Sequence, residues 1–576
     1  MVHAARRCSP VPGRNLMVAA VMFVGAGCAQ DEPLRPSLNP AAQGPLPNVT
    51  EDPTNDFAPH LTRWSTLSDD SLWFRIRDVG GTADVGLRPP GKAKGMERGR
   101  VLLNRSQRAA EAAVVRAMPG VELLTADTLL PIVKVRLADR EALARLRQLP
   151  QVEYVEPGAF SDANVPRGLR WNDIEFGCSV SGYGGPANTY ISPGDVLPWN
   201  YRVMQIDSAW NRSTGAGATI SIVDTGVDEQ VPELNALFAS GMSTGRIFTK
   251  TATRPHFGSL YPWHDTCGHG TRMASVIGAP RNGLGILGVA WRSNLHMVRV
   301  DNDVILTEVE ATRLGIRNAA TVSRIVAMAF GTYAYYSSIA QELEHWYFNT
   351  NRSIFVAAGT TSCWDPAHWV TFPGTLETVT TVTAFDQTGS IACNSSRGWQ
   401  VDFAAVTNQP AQGHHNLGST LAGLHGSSGA TAIIAGMAGL YLSRYPTADR
   451  ESLMGALIVA ASPAGGRSPL WGFGVPNAMC LMKEMCYSWI DGPNLIQQSG
   501  TYTWKAQQRS SPGPIAYQWS TGQTSQTISR NIVVYPGMPE YAFTVNVTVR
   551  DTRNGKTRNV SKLVVVRDPY QCPLCF

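Results

Sequence analysis

The sequence predicts an α/β protein: a parallel β-sheet sandwiched by helices, preceded by a small α+β unit and followed by an all-β unit. Three observations carry this. Between about residues 198 and 484, nearly continuous apolar runs of strand length (TISIV, LHMVRV, RIVAMAF, IFVAAG and VTTVTAF) alternate with helix-length segments. Strands apolar at every position are buried on both faces, as in parallel sheets covered by helices. Between 98 and 158 short patterns follow one another in the order β-α-β-β-α-β, the split βαβ arrangement. After 485, Tyr541, Phe543, Val545, Val547 and Val549 alternate with polar residues, and Trp504 and Trp519 sit in short strand-like runs, as expected of a β-sandwich.

At 576 residues the chain exceeds one core and implies three or four units. Charged residues make up only 16%, while Gly (54) and Pro (37) are plentiful, so the surface is expected to be loop-rich and uncharged. A net charge of +5 with no long basic run gives no support to a nucleic-acid partner. Arg6, Arg7 and Arg14 precede LMVAAVMFVGAG, which is too short for a span and ends in small residues before Cys28. Residues 1–28 therefore read as a secretory signal, and the chain as exported. VGAGC also resembles a bacterial lipoprotein cleavage box, which would make Cys28 an acylated first residue and the one route to a membrane. Gly25 stands where that box has a branched aliphatic, so ordinary signal cleavage and an uncleaved anchor stay open.

Removing Cys8 and Cys28 leaves Cys178, Cys267, Cys363, Cys393, Cys480, Cys486, Cys572 and Cys575. An even number in an exported chain favours disulfides, and no CxxC faces another CxxC or an HxxxH as a zinc site would need. Residues 29–97 read as a Pro-rich linker in which 71–87 forms a hairpin about Gly80 and Gly81. In the 98–158 unit, 101–103 read as the first strand, a helix over 106–118 ends at Pro119-Gly120, and Leu143, Leu146 and Leu149 mark one face of a second helix. Residues 159–197 are a second linker.

The chemistry begins at SIVDTGVDEQ, where Asp224 closes an apolar strand. Alone, Asp-Thr-Gly is a turn signal. His269 follows, flanked by Gly268 and Gly270 and leading into a helical stretch; Ser428 lies between Gly426 and Gly429 at the start of a helix apolar nearly all round. Each has a plain local reading, as a structural histidine and a helix cap. Together, in the order Asp, His, Ser on an α/β scaffold, they read as the three parts of a nucleophilic triad: Asp224, at the carboxyl end of its strand, would orient the imidazole, and His269 would take the Ser428 proton and return it to the leaving amine.

The stretch 198–484 resembles the subtilisin-like serine proteases through IVDTGV, GHGTRMA and GSSGATA, with WGFGVPNA as a closing segment. Ala329, Phe330 and Gly331, and Ala357, Ala358 and Gly359, resemble the two strands lining that family's substrate pocket. The resemblance implies an endopeptidase acting on proteins or peptides bound as an added strand, and a ferredoxin-like propeptide over 98–158 that inhibits the enzyme until it is cut between roughly 157 and 196. It places Thr360 where the family has an asparagine oxyanion donor, beside the Ser428 N–H, and Phe330 where a leucine is common, narrowing the pocket. Cys363 and Cys393 stand at a spacing some members bridge, Cys267 either pairs with Cys178 or is a free thiol, and Cys480–Cys486 and Cys572–Cys575 are local pairings. No catalytic metal or cofactor is implied. Calcium is left open as a structural ion with no ligands assigned, Asp228, Glu229, Asp301 and Asp303 being read as solvated. Residues 485–576 are read as an immunoglobulin-like sandwich. Two alternatives remain: a weakened relative that binds peptides or transfers acyl groups, and a surface-binding protein using Tyr502, Trp504 and Trp519.

Overall fold

The computed structural model describes residues 60–88, 112–113, 115–160, 178 and 182–566, with breaks at 256–259, 362, 364–367, 414–420, 463–466, 483–486, 494, 510–513, 537, 539–540 and 553–556. The signal-like start, Cys28, residues 101–103 and Cys486, Cys572 and Cys575 lie outside the described residues.

Residues 71–87 do not form a hairpin. Ser68 accepts from the Ser71 N–H and caps helix α1 (Asp69–Asp78), which buries Leu72 and Ile76, four residues apart on one face. Gly80 and Gly81, at φ +72° and +74°, then turn the chain into strand β1 (Thr82–Leu87). This strand lies inside the stretch read as linker, yet it belongs to a four-stranded antiparallel sheet with β2 (Val121–Ala126), β3 (Ile132–Leu137) and β4 (Val152–Pro157), in the order β2-β3-β1-β4. Helix α2 (Arg140–Gln148), capped by Asp139, buries Ala142, Leu143 and Leu146.

The main sheet is built from β5 (Thr219–Asp224), β6 (Phe248–Ala252), β7 (Asn294–Arg299), β8 (Ile325–Met328), β9 (Ser353–Ala357), β10 (Thr380–Phe385) and β11 (Phe403–Val406). All seven are parallel, in the order β11-β10-β9-β8-β5-β7-β6. Ile220 and Ile222 face one apolar cluster with helices α3 (His269–Gly278) and α6 (Gly426–Arg444); Val223 faces another with α4 (Val309–Val322) and α5 (Ser337–Asn349). Each fully buried Ile or Val contributes about 1.5–3 kcal/mol, so burial on both faces fixes the register that brings Asp224 to the end of β5.

The four-stranded sheet docks on α4 and α5. Lys134 pairs with Glu310 at 2.6 Å, Asp127 with Arg313 and with Arg317, and the Tyr154 hydroxyl donates to Gln341 Oε1 at 3.0 Å. Glu156 accepts from the Ser337 and Ser338 N–H groups at 2.7 and 2.9 Å, capping α5 from the other unit.

Beyond 487 there are two small sheets, one of three strands and one of four. Trp504 and Trp519 are 0% and 1% exposed in the core beneath them, their indole N–H groups donating to Pro493 O and Ser525 O. The aromatic face expected from Tyr502, Trp504 and Trp519 is therefore absent: both tryptophans point inward.

Candidate active site

Asp224 is 1% exposed at the carboxyl end of β5, beside β7 and β8. The turn after it touches the start of α3 so closely that only glycine fits: a Cβ on Gly226, at φ +113°, would lie 2.3 Å from Trp263 O, and one on Gly270 2.3 Å from Gly226 O. That contact carries His269, the first residue of α3, to Asp224. The imidazole Nδ1 lies 2.8 Å from Asp224 Oδ1 and both groups are buried. An Nδ1–H donated to the carboxylate leaves Nε2 as the acceptor, the tautomer a general base needs.

Sequence reading missed the group that braces this pair. Asp265, fully buried, accepts from the N–H groups of Cys267, Gly268 and Thr271 and from the Thr271 hydroxyl. It also accepts from the Thr225 hydroxyl at 2.9 Å, and Thr225 Oγ1 accepts from Gly270 N. One carboxylate thus holds both the His269 helix start and the residue next to Asp224. Its signal was a capping pattern, an Asp three residues before a glycine at a helix start.

Ser428 sits in the first turn of α6, with Oγ 3.5 Å from Ala329 O. Among the described residues His269 Nε2 has no hydrogen-bond partner, so the Ser428–His269 bond is not formed here; such bonds commonly tighten only when substrate binds. Gly359 N donates to Ser427 Oγ at 3.2 Å, and Ser427 Oγ lies 3.2 Å from Thr360 Oγ1.

Ala329–Gly331 extend β8 and Ala357–Gly359 extend β9, side by side as expected. Two details differ from expectation. The Gly331 N–H donates to Val304 O at 3.1 Å and Gly331 O accepts from Leu306 N at 3.0 Å, so the edge where a peptide strand would add is already paired. Phe330 packs into the apolar cluster of Tyr336, Val356 and Phe372, on the other side of its strand from Ala329 and Gly331, and does not fill the gap between the two strands.

Cys178 and Cys267 form a disulfide with Cα atoms 4.4 Å apart, which removes the free-thiol alternative beside His269. Cys363 and Cys393 form a second, and Cys480 is also disulfide-bonded. The carboxylates read as solvated include two that are buried. Asp301 accepts from the N–H groups of Asn302, Thr307 and Glu308, and Asp228 lies in a cluster with Glu229 and His264 whose ligand atoms are within 4.8 Å of one another. That set contains an imidazole already paired with Glu229 at 2.5 Å and does not suit calcium, which takes six to eight oxygens.

A buried Asp–His pair at the carboxyl end of a parallel sheet, with a serine at the start of a helix, is the equipment of a serine-type endopeptidase. Residues 215–475 match the model of the Subtilase family, so this segment is a subtilisin-like serine protease domain. The chain is 29% identical over 301 residues to the thermostable alkaline protease of Halalkalibacterium halodurans, covering 50% of this chain and 75% of that protein. Against subtilisin Savinase of Lederbergia lenta it is 28% identical over 284 residues, covering 49% and 97%. A crystal structure of MycP1 from the ESX-1 type VII secretion system matches with a TM-score of 0.41 at 20% identity, covering 53% of this chain and 90% of that one.

Proposed function

We propose that the chain is an exported endopeptidase made as a zymogen, in which Ser428 attacks the peptide carbonyl, His269 is the general base and then the general acid, and Asp224 holds the imidazole. The observation that carries this is the 2.8 Å His269–Asp224 contact beside the start of α6, within the matched segment. The N-terminal signal pattern and the disulfides support export; acylation at Cys28 is the anchor the sequence suggests. The docked 60–160 unit, its first strand placed earlier than the sequence suggested, is the inhibitor. An extended substrate lies along Ala329–Gly331, which requires Val304–Leu306 to part from Gly331. The sandwich after 485 is an accessory unit.

The oxyanion is met by the Ser428 N–H and by Thr360. Ser427 Oγ accepts from Gly359 N, so its own proton is free to go to Thr360 Oγ1, leaving the threonine hydroxyl to donate to the substrate. A donor held in this indirect way is weaker than a side-chain amide. Thr360→Asn is expected to raise kcat by about tenfold or more and Thr360→Ala to lower it by about the same factor, with KM little changed, since one such donor is worth roughly 10²–10³ in turnover. Equal kcat in all three would remove Thr360 from the oxyanion hole.

The test of the whole reading is intact mass after incubation with a fluorophosphonate, wild type beside Ser428→Ala. One adduct on the wild type and none on the variant supports it. Two unlabelled, full-length chains would overturn it.

A further inference from the structure

His269 and Ser428 hang from backbone rich in glycine: Gly268 and Gly270 flank the first, and Gly423, Gly426 and Gly429 surround the approach to the second. Glycine permits the close contacts made there but does nothing to hold the chain still. Each half has its own tie. Asp265 joins the start of α3 to Thr225, beside Asp224, and the Ser427 hydroxyl joins the start of α6 to Gly359 N and Thr360. A residue inside the histidine motif, Arg272, joins one half to the other.

Arg272 is the fourth residue of α3. Side chains on a helix lean back toward its N-terminus, so this one reaches under the helix start. Its Nε donates to Gly268 O at 3.0 Å and its Nη1 to Gly423 O at 3.1 Å. Gly268 immediately precedes His269. Gly423 lies in the short strand Ala422–Leu424, which runs through His425 and Gly426, at φ +59°, into α6 and Ser428. Opposite Gly423 in the paired strand stands Pro410, which has no N–H to give, so the guanidinium supplies a donor that this partner cannot.

The placement is costly. The side chain is 5% exposed, both of these acceptors are uncharged carbonyls, and a cation at a helix N-terminus opposes the helix dipole. Burial lowers Arg272, and the charges of Asp265 and Asp224 pull the other way. The two carboxylates behind His269 thus help to keep charged the group that spans the two halves. A planar fork with donors fixed in direction suits a bridge between two carbonyls better than a single mobile ammonium does.

We propose that Arg272 is a positioning residue for the proton transfer between Ser428 and His269: its guanidinium ties the carbonyl before His269 to the strand that leads to Ser428, and so sets the distance between the two side chains. The inference rests on the proposed assignment of the triad. A displacement of about 1 Å between reacting groups costs about a hundredfold in rate.

The experiment is the rate of fluorophosphonate labelling of the full processed chain, separated into kinact and KI, which needs no knowledge of the preferred substrate. Arg272→Met keeps the reach of the side chain and removes every donor; its kinact is expected to fall about 10- to 100-fold with KI within about threefold. Arg272→Lys has no donor at the Nε position, loses the Gly268 bond, and is expected to fall about fivefold or more. In an Asp224→Asn background, where proton transfer is already impaired, the same substitutions should cost less than about threefold, since two residues serving one step do not lose independently. A residue that merely supports the fold would cost the same factor in both backgrounds. That result overturns the proposal, and so does a folded Arg272→Met or Arg272→Lys chain that labels at the wild-type rate. If Arg272→Met does not fold, Arg272→Lys carries the same comparison. A wild type that takes up no fluorophosphonate removes the triad assignment and this inference with it; a labelled wild type with equal losses removes Arg272 alone.

Discussion

Asp224→Asn is expected to lower kcat about 10⁴-fold with KM within about threefold of wild type. The carboxylate accepts from Thr225 N at 2.8 Å and faces His269 Nδ1 at the same distance through the same oxygen. An asparagine whose carbonyl keeps that place still accepts from both groups but carries no charge to stabilise the imidazolium formed when His269 takes the Ser428 proton, and one that turns its amide N–H to the imidazole stabilises the tautomer with Nε2 protonated, which cannot take that proton. The loss belongs to proton transfer and not to folding. Asp224 Oδ2 is buried without a partner among the described residues, and the Asp265 carboxylate carries the hydrogen bonds to the backbone at the start of α3. The variant should therefore keep the wild-type unfolding temperature to within a few degrees and still bind a substrate-analogue aldehyde. Active-site-titrated kinetics beside a thermal melt decides it. A fall of less than tenfold in kcat, in a chain that melts normally, would take Asp224 out of the mechanism.

The placing of Asp224, His269 and Ser428 was legible because each sits where backbone constraints write themselves into the sequence. Asp224 ends a run of apolar residues, and the glycines beside all three residues mark close approach. The central strands were legible for the same reason, being apolar at every position. The edge strands were not: β6 reads FTKTA and is only partly buried, and β11 has four residues. Asp265 was hidden by a short spacing that resembles any helix cap. In the N-terminal unit the first strand was sought at 101–103, because Ala83, Val85 and Leu87 are diluted by Asp84 and Gly86. What makes that strand apolar enough to bury is a carboxyl that the sequence shows as charged.

That carboxyl leads to a strong expected pH effect. Asp84 and Glu156 are register partners on β1 and β4, 2% and 1% exposed, where the four-stranded sheet meets α5. Burial raises Asp84 to about 6, with Lys134 and Arg313 opposing and Glu310 and Asp127 adding. Burial likewise raises Glu156 to about 8 against the pull of the Ser337 and Ser338 N–H groups, and Asp84 pushes in the same direction. The hydroxyls of Tyr154 and Tyr336, also buried there, stay neutral. A carboxyl whose docked value lies above its ordinary value of 3.8 or 4.5 is held as the acid. Its contribution to docking is full below the ordinary value and is lost as pH rises through the raised one, by at most about tenfold per pH unit for each proton. Between pH 5 and 8.5 the 60–160 unit is thus expected to hold tightest at pH 5 and to loosen by about a hundredfold or more in affinity by pH 8.5. In the Ser428→Ala chain, where nothing is cut, the first thermal transition should fall steadily over that range. Asp84→Asn should flatten the fall. Glu156→Gln should flatten it too, while lowering the transition at every pH, because the amide NH2 cannot accept from the second of the Ser337 and Ser338 N–H groups as a carboxyl oxygen does. A transition that is flat or rises from pH 5 to 8.5 in the parent chain would mean that the pair carries no linked proton, and release of the unit proposed as inhibitor would then depend on cleavage alone.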